Sequence, residues 1–310
     1  MYLKTRREFM RSASKIGLMS GASAMFPQLS RASALGLPPG IQLYSVREDF
    51  AKDVPGTLRQ LREIGYLEVE TAGFGKYSAK EFRQLLDDAG LKAPSAHLKL
   101  TPTTIESLLD DANAIGAHFA TSSSLETAIH PPNTAILPPG QRAVMAPLGS
   151  DEFKKLAAIM NDLGTKTKAA GLQYAYHNHN YEFEKMPDGS YGYDILMNET
   201  DKDLVKFEID CGWMCAAGAD PVVYMTNHPG RVKMIHVKEF QPISAPSISL
   251  SGPTRPKGAD LGQGFISYKR IFAAGKKAGV EHAFSEQEDP FPVSQMASAK
   301  AAYAFLQASS

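Results

Sequence analysis

Tyr174–Glu184 reads YAYHNHNYEFE, and this stretch decides the fold. It begins as a strand, with Tyr174, Ala175 and Tyr176, and then sets His177, Asn178, His179, Asn180 and Glu182 close together. A strand that ends in a burst of nitrogen and oxygen donors points to the mouth of an α/β barrel, where the C-terminal ends of parallel strands carry the chemistry. Three later segments end the same way: Phe207-Glu208-Ile209-Asp210, Met234-Ile235-His236-Val237-Lys238-Glu239 and Phe284-Ser285-Glu286-Gln287-Glu288-Asp289. Four such ends could converge on one metal ion.

Outward from this stretch, strand and helix patterns alternate. Strands are predicted at 41–45, 66–70, 92–98, 118–122, 205–210, 232–237 and 282–286. Between them lie helical periodicities at 54–64, 78–89, 104–115, 150–170, 193–199, 221–227 and 268–278, and a last helix is predicted over 292–307. Most of these helices are followed by glycine, as at Gly65, Gly90, Gly116, Gly171 and Gly279. Eight strand–helix units predict a single-domain (β/α)8 TIM barrel. An open sheet would carry a Gly-rich phosphate loop after the first strand, and Gln42-Leu43-Tyr44-Ser45-Val46-Arg47 offers none. Two long Pro- and Ser-rich connections, 123–149 and 241–260, are expected to set specificity.

The chain has 33 basic and 33 acidic residues, so charge gives no reason to expect nucleic acid as a partner. Thr5-Arg6-Arg7-Glu8-Phe9-Met10, a short apolar run and Ala32-Ser33-Ala34 read as a twin-arginine export signal over residues 1–34. The expectation is a periplasmic barrel over residues 35–310, with no membrane contact in the mature form. Cys211 and Cys215 are too close to staple distant parts of the fold and are read as free thiols.

The strand ends supply Glu70, His97, His177, His179, Glu182, Asp210, His236, Glu286 and Glu288. Carboxylates with one imidazole suit one divalent ion, Mn²⁺ first, with Mg²⁺, Co²⁺ or Zn²⁺ as alternatives. Such an ion stabilises the enediolate formed when a proton leaves the carbon beside a carbonyl, and carboxylates on either face of a sugar can move that proton. Lys238, directly after a ligand strand, reads as a donor to substrate oxygen. Tyr44, Glu70, His97 and Trp213 read as substrate contacts, and Glu208, next to Ile209, as a side chain that can face the helical layer.

Several of these segments together resemble the xylose-isomerase-like family of sugar phosphate isomerases and epimerases, a superfamily that also includes inosose dehydratase and an endonuclease branch. The resemblance rests on Gln42–Arg47, His177-Asn178-His179 with Glu182-Phe183, Phe207–Asp210 with Gly212-Trp213, His236–Glu239, Leu261-Gly262-Gln263-Gly264 and Glu286–Asp289. It implies a metal set of Glu, Asp, His and Glu, of which Asp210, His236 and Glu286 match the last three. His177 stands where relatives carry the first Glu. Glu182 is read as swinging back to replace it, with His177 or His179 as alternative ligands. The function implied is a metal-dependent isomerase or epimerase of a sugar or keto-sugar, with Glu182, Glu286, His177 and His179 as acid/base groups. A lyase or dehydratase on a keto-sugar, keto-inositol or keto-glycoside is the alternative, and a non-catalytic sugar-binding barrel the third reading. The partner is a small carbohydrate, and the family allows a homo-oligomer.

Overall fold

The computed structural model describes residues 35–123, 125 and 148–308. The expected export signal and most of the 123–149 connection lie outside the described residues. The strands are β1 (Gly40–Gln42), β2 (Glu68–Thr71), β3 (Lys92–His97), β4 (Phe119–Ser122), β5 (Gln173–His177), β6 (Val205–Asp210), β7 (Val232–Val237) and β8 (His282–Ser285). Each pairs in parallel with the next, and β8 pairs with β1, which closes the eight-stranded barrel. No described helix is long and apolar enough to cross a membrane.

Helices Val54–Ile64, Ala79–Ala89, Ile105–Ile115, Ser150–Ala169, Gly192–Glu199, Pro221–Asn227, Tyr268–Ala278 and Gln295–Ala308 follow the sequence periodicity closely. Their ends have local causes. Ser78 and Glu81 form a reciprocal capping box, and Gly90, Gly116 and Gly279 take left-handed conformations that a side chain would disfavour.

Two departures from the sequence reading matter for the mouth. β1 is shorter than expected, because the Gln42 side chain accepts a hydrogen bond from the Tyr44 amide at 3.0 Å and turns the chain into a 3-10 segment, Leu43–Val46. Helix Cys211–Ala216 was not foreseen; it starts because Asp210 Oδ1 accepts from the Trp213 amide at 2.8 Å. The carboxylate that ends β6 therefore also opens a helix. Cys211 and Cys215 are both free thiols, and burial pushes Cys215 up to about 12.

Residues two apart on a strand share a face. Phe207 and Ile209 join the main core, which contains the helices' buried side chains. Glu208 therefore points the other way, into the barrel with Asp210, and not toward the helical layer. Inside, Phe119, Ala175, Met234 and Phe284 form a separate apolar cluster. Two residues further along their strands stand Thr121, His177, His236 and Glu286, so the interior changes from apolar to ionisable toward the strand ends.

Candidate metal centre at the barrel mouth

Strand register brings the polar ends together: His177 pairs with Glu208, and Asp210 with His236. Asp210 Oδ2 is buried and accepts no hydrogen bond. His177 Nε2 and His236 Nδ1 each lie 3.8 Å from it. Glu286 Oε2 lies 2.8 Å from the same His236 nitrogen. These separations are close to those between ligands around one divalent ion, and a buried carboxylate oxygen faced by two imidazole nitrogens is an atom such an ion could bind. His177, Asp210 and His236 form one of three clusters of closely spaced ligand atoms among the described residues; the others are His97–His177–Glu208 and Glu70–Glu208–His236.

Lys238 supplies the local positive charge. Its ammonium is 2.9 Å from Asp210 Oδ2, 2.8 Å from Glu286 and 3.1 Å from Glu288, and the residue is 1 % exposed. The Asp210 contact lies off the direction of a hydrogen bond and is electrostatic. Burial disfavours the charged amine, but the three carboxylates outweigh it and hold the pKa well above the ordinary lysine value. Gly212 makes room for the stem, since a Cβ there would come within 2.8 Å of Lys238 Cβ and Cγ.

The other groups respond to one another. Burial raises Glu286, but Lys238 and His236 reverse the effect and hold it below the usual carboxylate range. Burial likewise raises Glu70, and the His236 and His97 imidazoles pull it down. Burial and the neighbouring Glu70 charge push Glu208 well up. Burial raises Asp210, with Lys238 and His236 opposing it. His177 is depressed by burial and by the cationic groups around it. His236 is raised despite burial, because Glu208, Glu286 and Glu70 face it.

The remaining sequence-selected residues have definite places. Glu182 is buried; its oxygens accept the His179 amide at 3.0 Å, and Tyr176 donates to it at 2.8 Å. Neither Glu182 nor Glu286 belongs to the three ligand clusters, but Glu286 touches the site through His236 Nδ1 and Lys238. Glu70 accepts from Gln42 and Ser95, both at 2.6 Å, and its Oε2 lies 2.7 Å from His236 Nε2. His97 is partly buried, with Nε2 3.1 Å from Ser123 Oγ. The ring centroids of His97 and His179 are 5.0 Å and 5.3 Å from that of His177. Trp213 is 2 % exposed, with Lys238 5.1 Å and Arg255 5.6 Å from its ring centroid, so the ring is buried beside two cations. Tyr44 is exposed at the rim beneath the Arg47 guanidinium, which pairs with Asp289 at 2.6 Å.

Sequence reasoning missed Arg255 and undervalued Glu208. The signal for Glu208 was its place two residues before Asp210. Arg255 had none, because only the fold of the 241–260 connection brings it to Glu288, 2.6 Å away. That connection is tied down: Asn180 donates to the Ser247 and Ser249 carbonyls at 3.0 and 3.1 Å, and the Gly258 amide to Asp289 O at 2.8 Å. A Cβ on Gly258 would meet the Glu288 carbonyl oxygen at 2.0 Å. Gly258→Ala should therefore force the two segments apart and cost about 1–3 kcal/mol, read as a lower chemical-denaturation midpoint. An unchanged midpoint would mean that this contact relaxes freely.

An inosose dehydratase of Lacticaseibacillus casei is 29 % identical over 140 residues, covering 42 % of this chain and 45 % of that protein. The chain thus matches less than half the length of that relative. A sugar phosphate isomerase/epimerase structure from Parabacteroides distasonis superposes with a TM-score of 0.67 at 25 % identity, over 87 % of this chain and 93 % of that one. A xylose isomerase-like barrel from Mycobacterium smegmatis in complex with magnesium shares the fold at 17 % identity and TM-score 0.60, over 89 % and 97 % of the chains. Residues 58–307 match the family described as xylose isomerase-like TIM barrel, and the chain belongs to that family.

Proposed function

We propose that this protein is a divalent-metal-dependent isomerase or epimerase that moves a proton on the carbon beside the carbonyl of a sugar or keto-sugar. The observation that carries this reading is the approach of His177 Nε2 and His236 Nδ1 to the buried Asp210 Oδ2, with Glu286 Oε2 against the same His236 nitrogen. In this reading His177, and not Glu182, completes the ligand set. When bound, the ion would polarise the carbonyl and offset the charge that develops on substrate oxygen. Two imidazoles with two carboxylates favour Mn²⁺, Co²⁺ or Zn²⁺ ahead of Mg²⁺.

Each remaining group has a task. The Lys238 ammonium donates to the oxygen that gains charge. His97 and His179 are partly exposed beside His177 and take and return the proton. Glu182 holds the turn after β5 through the His179 amide, and so fixes where His179 stands. Residues 1–34 direct the protein to the periplasm, and a free sugar, rather than a phosphorylated one, is then the substrate.

A lyase or dehydratase acting on a keto-sugar or keto-inositol is the second reading. The histidine at the end of β5 and the local similarity to inosose dehydratases favour it. Its first proton transfer is the same, followed by loss of a β-substituent that His97 or His179 protonates as it leaves.

Incubating the metal-loaded protein with keto-sugars and keto-inositols in D₂O separates these readings by NMR. An epimerase leaves the oxygen count intact and places solvent deuterium at the reacting carbon. A lyase yields an unsaturated ketone and water or an alcohol. Binding with no deuterium in any substrate would sink both readings and leave a sugar-binding barrel.

A further inference from the structure

Glu208 is a buried carboxylate that the scheme above does not use. It sits in β6 opposite His177 in the sheet register, and Asp210, two residues on, sits opposite His236. Its Oε2 lies 2.9 Å from His177 Nδ1 and 3.3 Å from His236 Nε2. A neutral imidazole has one N–H and one lone pair, so whichever nitrogen donates determines which can bind an ion. The donor across this contact depends on the tautomer: donation from His177 Nδ1 to a Glu208 oxygen, of the carboxylate or the carbonyl of the neutral acid, leaves the lone pair on Nε2, the atom 3.8 Å from Asp210 Oδ2, whereas donation from a neutral Glu208 would put the proton there. His236 shows the same arrangement with its nitrogens exchanged. Its Nε2 is 2.7 Å from Glu70, while its Nδ1 faces Glu286 and Asp210. Each ring thus presents one nitrogen to a common centre and is backed, through the other, by a carboxylate from inside the barrel.

We propose that Glu208 is a positioning residue that fixes His177 as the Nδ1–H tautomer and turns Nε2 toward the Asp210–His236–Glu286 set. This is what equips a histidine to serve at the end of β5. The inference deepens the proposed function and rests on His177 being a ligand there. The molecule also offers a rival arrangement: His177 and Glu208 could share an ion with His97, using the Nδ1 side of the ring.

The test is a long-range ¹H–¹⁵N correlation spectrum of the full-length protein, ¹⁵N-labelled at histidine and loaded with Zn²⁺. The His177 signals are assigned by their loss in His177→Gln. The expected result is a proton on Nδ1 and a metal-shifted Nε2. A proton on Nε2, or a metal-shifted Nδ1, overturns the inference, and neither outcome requires a Glu208 variant to fold. Glu208→Gln keeps an acceptor in place, and should keep the tautomer and bind Zn²⁺ within a few-fold of wild type. Glu208→Leu should lose the single tautomer and weaken Zn²⁺ binding by about 10–100-fold in a chelator competition. Wild-type affinity and tautomer in Glu208→Leu would also overturn the inference while leaving the metal reading standing. Unchanged Zn²⁺ affinity in His177→Gln would instead remove the ligand assignment on which the inference depends.

Discussion

Asp210→Asn should yield a folded barrel that holds no ion and has no measurable turnover. The substitution is nearly isosteric. The amide oxygen can still accept from the Trp213 amide, as Asp210 Oδ1 does at 2.8 Å, so helix Cys211–Ala216 keeps its start. What changes is Oδ2, which both His177 Nε2 and His236 Nδ1 face at 3.8 Å. An amide NH₂ there carries no charge and no lone pair for a cation. The expected loss of metal affinity exceeds about 100-fold, beyond the range for losing a partner that merely orients a ligand. Elemental analysis should find about one ion per wild-type chain and background in the variant. Lys238 keeps Glu286 and Glu288 as partners in the variant, so the barrel should still fold, with a melting temperature lowered by less than removal of the ammonium itself would cause. A variant with full metal content would place the ion elsewhere; one that fails to fold would make Asp210 a structural cap above all.

Lys238→Met should do the opposite, with a large effect on stability before any ion is added. The ammonium contacts Asp210, Glu286 and Glu288 while almost wholly buried. Methionine preserves much of the stem's packing against Gly212 but leaves three buried carboxylates beside one another. Removing one partner of a buried ion pair costs about 3–5 kcal/mol. For a domain of this size that corresponds to a drop of roughly 6–20 °C in the melting temperature of the metal-free protein. Adding Mn²⁺ or Zn²⁺ should recover part of the loss, because the ion supplies the charge that the variant lacks. Arg255 limits the damage at Glu288, which it contacts at 2.6 Å, so most of the effect is expected at Asp210 and Glu286. A metal-free variant that melts with wild type would show that the carboxylates neutralise themselves by taking up protons.

Much of the fold was legible because its signals are local. Ser78 with Glu81, and glycine after Ala89, Ile115 and Ala278, mark helix ends whatever the rest of the chain does. Asp210, His236 and Glu286 could be picked out because they end strands whose apolar residues set the register. Glu208 was misjudged by weighing its immediate neighbour, although strand alternation ties its direction to that of Asp210. For Glu182, the sequence could not show that the His179 amide and Tyr176 hydroxyl hold its carboxylate, since turn geometry decides this. Arg255 was invisible for a related reason: its position follows from contacts between the 241–260 connection and two other strand ends.

That connection has a consequence for how a ligand arrives. Ordering a flexible segment costs about 1–2 kcal/mol per residue in lost backbone freedom. Here the Asn180 side chain, the Ala216 carbonyl and the Asp289 carbonyl already hold the segment, and Arg255 is already docked on Glu288. The entropy is lost when the chain folds, not when substrate binds. Capture against this wall should therefore follow diffusion and desolvation instead of waiting for a flap to close. The heat-capacity change on binding should then reflect only the surface the ligand covers there, with no contribution from coupled folding of this segment.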